Sequence, residues 1–193
     1  MKVLFLSSDD MVDVDCFSHF LIVDLESTCC EDDSIPKGEH EVIEIGAVMV
    51  DATSLKEVDC FDIFVRPVRH PSLTQFCTNL TTITQKDLDK APHFPEASEI
   101  FAQWLHRYKN YVFCSWGNYD RNHLESDSAY HNVKNPISAK HVNLKNEFAK
   151  QMKVKKMGMQ RALELVNEPL MGSHHRGIDD ARNICKLLPY CLI

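Results

Sequence analysis

"LIVDLESTCC", residues 21–30, carries an apolar run, Leu21-Ile22-Val23, straight into two acids placed two positions apart, Asp24 and Glu26. In a β-strand, side chains at i and i+2 leave the same face. The two carboxylates therefore stand side by side at the end of a buried element. Acids that close disfavour one another's charge unless something positive lies between them. The stretch reads as a strand that ends on a place for a cation.

The segments around it read as a mixed α/β domain. "FLIVDLE" (20–26), "EVIEIGAVMVD" (41–51) and "VDCFDIFVRP" (58–67, closed by Pro67) are strand-like. The polar loop "STCCEDDSIPKGEH" between the first two carries the turn formers Pro36 and Gly38, and a meander of this kind pairs antiparallel. "FPEASEIFAQWLHRY" (94–108) then places Ala97, Ile100, Phe101, Trp104, Leu105 and Tyr108 on one stripe at helical spacing, with Pro95 suited to a first turn. "YVFCSW" (111–116) reads as a short buried strand, and "YDRNHLESDSAY", "NLKNEFAKQM" and "GMQRALELVN" read as helices. A last helix is expected from about Ile178 to Leu188. Strands first, then alternating helices and strands, imply a mixed sheet flanked by helices.

The 193 residues, 44% of them hydrophobic, suffice for one domain with a proper core. No stretch approaches the roughly 18 apolar residues of a membrane span, and "MKVLFLSSDDMVDVD" lacks the roughly 7–15 apolar residues of a secretory signal. The eight cysteines show neither a CxxC pair nor zinc spacing. The expectation is a cytoplasmic chain with reduced thiols and no membrane partner. The net charge of −7 argues against a polyanionic partner, but its distribution does not. Residues 134–161 hold eight Lys/Arg and one acid, leaving 13 basic and 27 acidic residues elsewhere. Alone, such a stripe is a solvated face; the rival reading is a track for a phosphate backbone.

A lone D-x-E is weak, so the other acids matter. Asp120 follows the 111–116 strand by a Gly-Asn turn, and Asp180 falls in the first turn of the last helix, five residues after His175. A helix first turn favours an ionised carboxylate. Three aspartates, a glutamate and a histidine make a hard, oxygen-rich set that suits Mg²⁺ or Mn²⁺. Two such ions about 4 Å apart stabilise both oxygens of a phosphodiester cleavage.

"IVDLEST", "SWGNYD" and "HHRGIDDARNI" resemble the three signatures of the DEDDh superfamily of metal-dependent 3′→5′ exonucleases, which share a ribonuclease-H-like fold. "EVIEIGAVMVD", "FVRPVRHPSLTQFCTNLTTIT", "APHFPEA" and "FCSWGNYDRN" extend the resemblance to the Eri-like exoribonucleases and their KapD-like relatives, over about residues 18–190. The resemblance implies a five-stranded mixed sheet in a single exonuclease domain at 18–193, behind an N-terminal extension at 1–17. It implies Asp24, Glu26, Asp120 and Asp180 as ligands of two Mg²⁺ or Mn²⁺ ions, with Asp24 between them. Glu26 then takes part in catalysis with His175, the general base that deprotonates the attacking water, and His175 has an ordinary pKa near 6.5. The expected product is a nucleoside 5′-monophosphate.

Phe76, Leu80, Ile83 and Trp116 are read as flanking the site, with core packing the rival for each and the better reading for Ile83. Trp116 is the first choice for a base or sugar contact. Ser27 and Thr28 are placed to meet the terminal ribose, and Lys153, Lys155 and Lys156 to follow the backbone. Asp179 is read as a helix cap and His174 as a loop residue; Glu41 and Glu44 receive no chemistry. Relatives usually read LTGIT where this chain has "LTTIT", so Thr82 stands in a glycine place. If that place takes positive φ, threonine there costs of order 1 kcal/mol. The expected substrate is the 3′ end of single-stranded RNA, with DNA open and protein partners unassigned. Two rivals stay open: a DNA proofreading or repair exonuclease, and a non-catalytic nucleic-acid-binding regulator.

Overall fold

The structure, a computed structural model, describes residues 3–5, 11–13 and 16–192. Of the extension expected at 1–17, residues 1, 2, 6–10, 14 and 15 lie outside the described residues. Its described parts, β1 (Val3–Phe5) and β2 (Met11–Asp13), pair antiparallel with each other in a sheet of their own.

The main sheet holds β3 (His19–Ser27), β4 (Val42–Asp51), β5 (Glu57–Phe64), β6 (Tyr111–Ser115) and β7 (His141–Asn143), in the order β5-β4-β3-β6-β7. The first three form the expected antiparallel meander, whereas β6 joins β3 and β7 joins β6 in parallel. A parallel neighbour requires a crossover, and α1 (Gln75–Thr81), α2 (Gln85–Leu88) and α3 (Phe94–Leu105) lie between β5 and β6. Then follow α4 (Tyr119–Tyr130), α5 (Leu144–Gln151), α6 (Met159–Leu165) and α7 (Gly177–Leu187). The mixed five-stranded sheet flanked by helices is the architecture the sequence led us to expect.

The central strand explains its own sequence. Phe20, Leu21, Ile22 and Val23 are all fully buried. Phe20 and Ile22 pack with α5, α6 and α7 through Phe148, Leu163 and Ile184. Leu21, Val23 and Leu25 pack with α3 and α4 through Phe101, Trp104 and Leu124. A strand covered on both faces reads as a continuous apolar run, which is why "FLIV" shows no alternation. By the same period of two, Asp24 and Glu26 share the face of Phe20 and Ile22, beneath α7.

Helix α7 reaches that face because two glycines let backbone meet backbone. A Cβ on Gly46 would lie 2.1 Å from the carbonyl carbon of Gly177, and one on Gly177 would lie 2.9 Å from the carbonyl oxygen of Asp24. Gly46 is the register partner of Asp24, so the first turn of α7 sits directly over the acid pair.

Candidate active site

Strand β6 pairs with β3 only as far as Ile22↔Cys114, while β3 runs on to Ser27. Beyond that point an exposed strand edge needs another partner. Asp120, in the first turn of α4, supplies it: Leu25 N–H donates to its Oδ1 at 3.0 Å. The tight turn before α4 is made by Gly117, at φ +130.

Asp180, in the first turn of α7, closes the group from above. Asp24, Glu26 and Asp180 each offer a carboxylate oxygen, all within 4.8 Å of one another. Asp180 Oδ2 accepts from His174 Nδ1 at 2.8 Å and from the backbone N–H of His175 at 2.9 Å. Its Oδ1 is buried with no partner among the described residues. A buried acceptor left unpaired is costly, and this one belongs to a carboxylate grouped with two other acids.

The titration behaviour of the acids has the same origin. Burial first, then the charges of Asp120, Glu26, Asp180 and Glu44, push Asp24 well above the usual carboxylate range. Burial, reinforced by Glu44, Asp180 and Asp120, pushes Glu26 from 4.5 to about 8. Asp120 rises to about 6 through burial, held back by the Leu25 N–H, its own N–H, Ser115 and Lys145. Acids so arranged are poised for a cation. The hard oxygen donors, the unpaired Oδ1 and the mutual repulsion all fit divalent magnesium-class ions.

The acids open into a cleft of about 390 Å³ lined by both histidines, Ser27, Cys29, Leu80, Trp116, Tyr119, Gly158 and Met159. A larger groove of about 870 Å³ lies between α3 and the 133–138 loop and contains none of the four acids. His175 takes a left-handed φ of +63 in the loop before α7. Burial and the neighbouring His174 hold its pKa below 6.5.

The expected substrate contacts divide. Leu80 lines the cleft and is partly exposed. Trp116 lines it too, but is only 8% exposed, donates Nε1–H to the Met157 carbonyl at 3.0 Å and packs against Phe148. It is a wall tied into the core. Phe76 is exposed on α1 and is not among the cleft's lining residues. Ser27 reaches the cleft, and its Oγ lies 2.6 Å from the Tyr119 hydroxyl. Thr28 does not: it is buried, and its Oγ1 accepts the N–H of Glu41 to seat the start of β4. Lys153, Lys155 and Lys156 are exposed on the loop between α5 and α6, which runs into Gly158 and Met159 at the cleft.

Several residues act differently from expectation. Asp179 is no helix cap: the N-cap of α7 is Arg176, and the Asp179 carboxylate accepts the N–H of Ser173 at 2.8 Å. His174 is in the loop as expected, but its ring is bonded to Asp180. Glu44 is fully buried, accepts the Gly177 N–H at 3.0 Å, and pairs with Arg176 at 3.1 Å. Glu41 accepts the N–H groups of Val68, Arg69 and His70. Tyr119, directly before Asp120, is a cleft residue that sequence reasoning missed. Its position beside a ligand candidate was the available signal.

Fold and site together define a nuclease of the exonuclease class, and the chain belongs to that family: a family model described as Exonuclease matches residues 21–188. It is 29% identical over 194 residues to "3'-5' exoribonuclease 1" of Rattus norvegicus, covering 95% of this chain and 55% of the relative. It is 28% identical to "3'-5' exonuclease eri1" of Schizosaccharomyces pombe, covering 90% of this chain and 67% of that one. The solved nuclease domain of 3'hExo, "a DEDDh family member, bound to rAMP", superposes with a TM-score of 0.83 at 28% identity, over 89% of this chain and 90% of that one. The chain spans about half the length of the first of these relatives.

Proposed function

We propose that this protein is a 3′→5′ exonuclease that hydrolyses single-stranded RNA from its 3′ end to nucleoside 5′-monophosphates. The observation that carries the reading is the convergence of Asp24, Glu26 and Asp180 within 4.8 Å in a cleft that also holds Asp120 and His175. The relative named "3'-5' exoribonuclease 1" supports RNA as the substrate.

Asp24, Glu26, Asp120 and Asp180 would hold two Mg²⁺ or Mn²⁺ ions. When bound, such ions neutralise the acids and stabilise charge on the attacking and leaving oxygens of the phosphodiester. His175 accepts the proton of the attacking water; its lowered pKa keeps the imidazole neutral, and so able to accept, near pH 7. Leu80 and Trp116 bound the apolar wall against which a terminal base can rest, and Ser27 with Tyr119 offers hydroxyls toward the sugar. Lys153, Lys155 and Lys156 meet the phosphates that precede the terminal nucleotide. The complete set of acids and histidine counts against a non-catalytic regulator.

End-labelled RNA and DNA strands incubated with Mg²⁺, Mn²⁺ or EDTA test the proposal. A ladder shortening from the 3′ end, faster on RNA and absent in EDTA, is expected. Asp24→Asn should lower the rate by orders of magnitude without unfolding the chain; wild-type cleavage by that variant would refute the site.

A further inference from the structure

Beside the all-oxygen group lies a second set of donors of different chemistry. Successive side chains in extended backbone point to opposite sides. His174 and His175 instead form a turn, with His175 at a left-handed φ of +63. The two rings stack with centroids 3.9 Å apart at 23°, and both line the cleft. One donor atom each from His174, His175 and Asp180 lie within 4.8 Å of one another. Tetrahedral zinc, with donors at about 2.0–2.1 Å, sets its ligand atoms ~3.4 Å apart, so the three must draw in by at most about 1.4 Å.

Asp24 and Glu26 meet Asp180 from the oxygen side, while the two charged residues that flank the set in the chain are engaged elsewhere. Arg176 is drawn onto Glu44, and Asp179 is held by the Ser173 N–H. Asp180 is fixed by the first turn of α7 and by the His175 N–H, and it keeps one buried oxygen without a partner. His174 keeps about a third of its side chain exposed, so an ion from solvent can reach it.

We propose that His174, His175 and Asp180 form a binding site for a borderline divalent transition ion, Zn²⁺ fitting best. Two imidazoles and a carboxylate select Zn²⁺, Co²⁺ or Ni²⁺ over Mg²⁺, and zinc sites of three protein ligands keep a fourth position open. A zinc ion there shares Asp180 with the oxygen set and occupies His175. Occupancy therefore inhibits whatever reaction needs those two residues. The affinity itself does not rest on the exonuclease reading; the inhibition does.

The metal-stripped full chain is titrated with Co²⁺, followed by visible absorption, and then with competing Zn²⁺, followed by calorimetry. One Co²⁺ per chain with the intense visible bands of a low-coordinate site is expected, displaced by Zn²⁺. His174→Gln should weaken both ions at least about tenfold, while Asp24→Asn should leave them in place. In Mg²⁺ buffer, the zinc concentration that halves RNA cleavage should rise about as much for His174→Gln, each protein compared with its own zinc-free rate. Equal binding by His174→Gln, loss of binding in Asp24→Asn, or a sulfur-to-cobalt band assigning the ion to cysteines would each overturn the site. Should His174→Gln fail to show a folded melting transition, His174→Asn carries the same comparison. A protein that cleaves RNA but binds no cobalt at these histidines overturns this inference alone. One that binds cobalt there but cleaves nothing overturns the exonuclease reading alone.

Discussion

Glu26→Gln should stabilise the metal-free protein while destroying its activity. Glu26 is only 8% exposed and its folded pKa is raised from 4.5 to about 8, burial being the largest cause. For an acid raised in this way, the folded state prefers the protonated form. No penalty exists below pH 4.5; it grows as the pH climbs toward 8 and levels off above that. Linkage over this window gives about 3 kcal/mol against folding at pH 7 and about 1 kcal/mol at pH 5. Glutamine keeps the shape and hydrogen-bonding reach without the ionisable proton, so it removes the penalty. At the usual 2–4 °C per kcal/mol for a domain of this size, the variant in EDTA should melt roughly 6–12 °C higher at pH 7 and only roughly 2–4 °C higher at pH 5. Saturating Mg²⁺ should close the gap by stabilising the wild type, because an ion that binds only the native state adds to its stability. Melting curves at both pH values, with and without Mg²⁺, decide it. A variant no more stable than wild type in EDTA at pH 7, or equally stabilised at both pH values, would refute the electrostatic account of the site.

The remaining expectations concern the scaffold and the track. Gly46→Ala should lose at least about 1–3 kcal/mol in chemical denaturation and most of its cleavage, since its Cβ would lie 2.1 Å from the Gly177 carbonyl carbon; a stable, active variant would show that the backbone contact is dispensable. Thr82 caps α1 at φ +62, so Thr82→Gly should gain about 1 kcal/mol, read as a higher denaturant midpoint at unchanged slope. Reversing Lys153, Lys155 and Lys156 to Glu should weaken longer oligonucleotides and flatten the salt dependence of their binding. An unaltered salt slope would return that loop to being ordinary solvated surface.

Local pattern carried a good deal of this. The apolar run ending in Asp24 and Glu26, most of the helical stripe begun at 94 (Ile100 is exposed and the helix stops at Leu105), and the placing of Asp120 and Asp180 at helix starts were legible from spacing of 2.0 or 3.6 residues. The sign of φ at residue 82 was a condition raised by a family resemblance rather than by local pattern, and the structure puts it at +62. Short elements escaped: β7 has three residues and α2 four, too few for a period to register. So did the tasks of single side chains. Nothing local says that Thr28 seats β4 rather than a ribose, or that Trp116 is tied to Met157.

The sequence by itself determined which residues are acids at the ends of buried elements, because that depends only on chain periodicity and burial. The tertiary structure decided that three of them meet, that two glycines allow the meeting, and that His174 turns onto Asp180 beside His175. Those facts depend on how close two backbones can pack and on a single φ sign. Contacts such as Asp24 with Asp180 and Gly46 with Gly177 join distant parts of the chain through packing, and packing is a property of the whole fold.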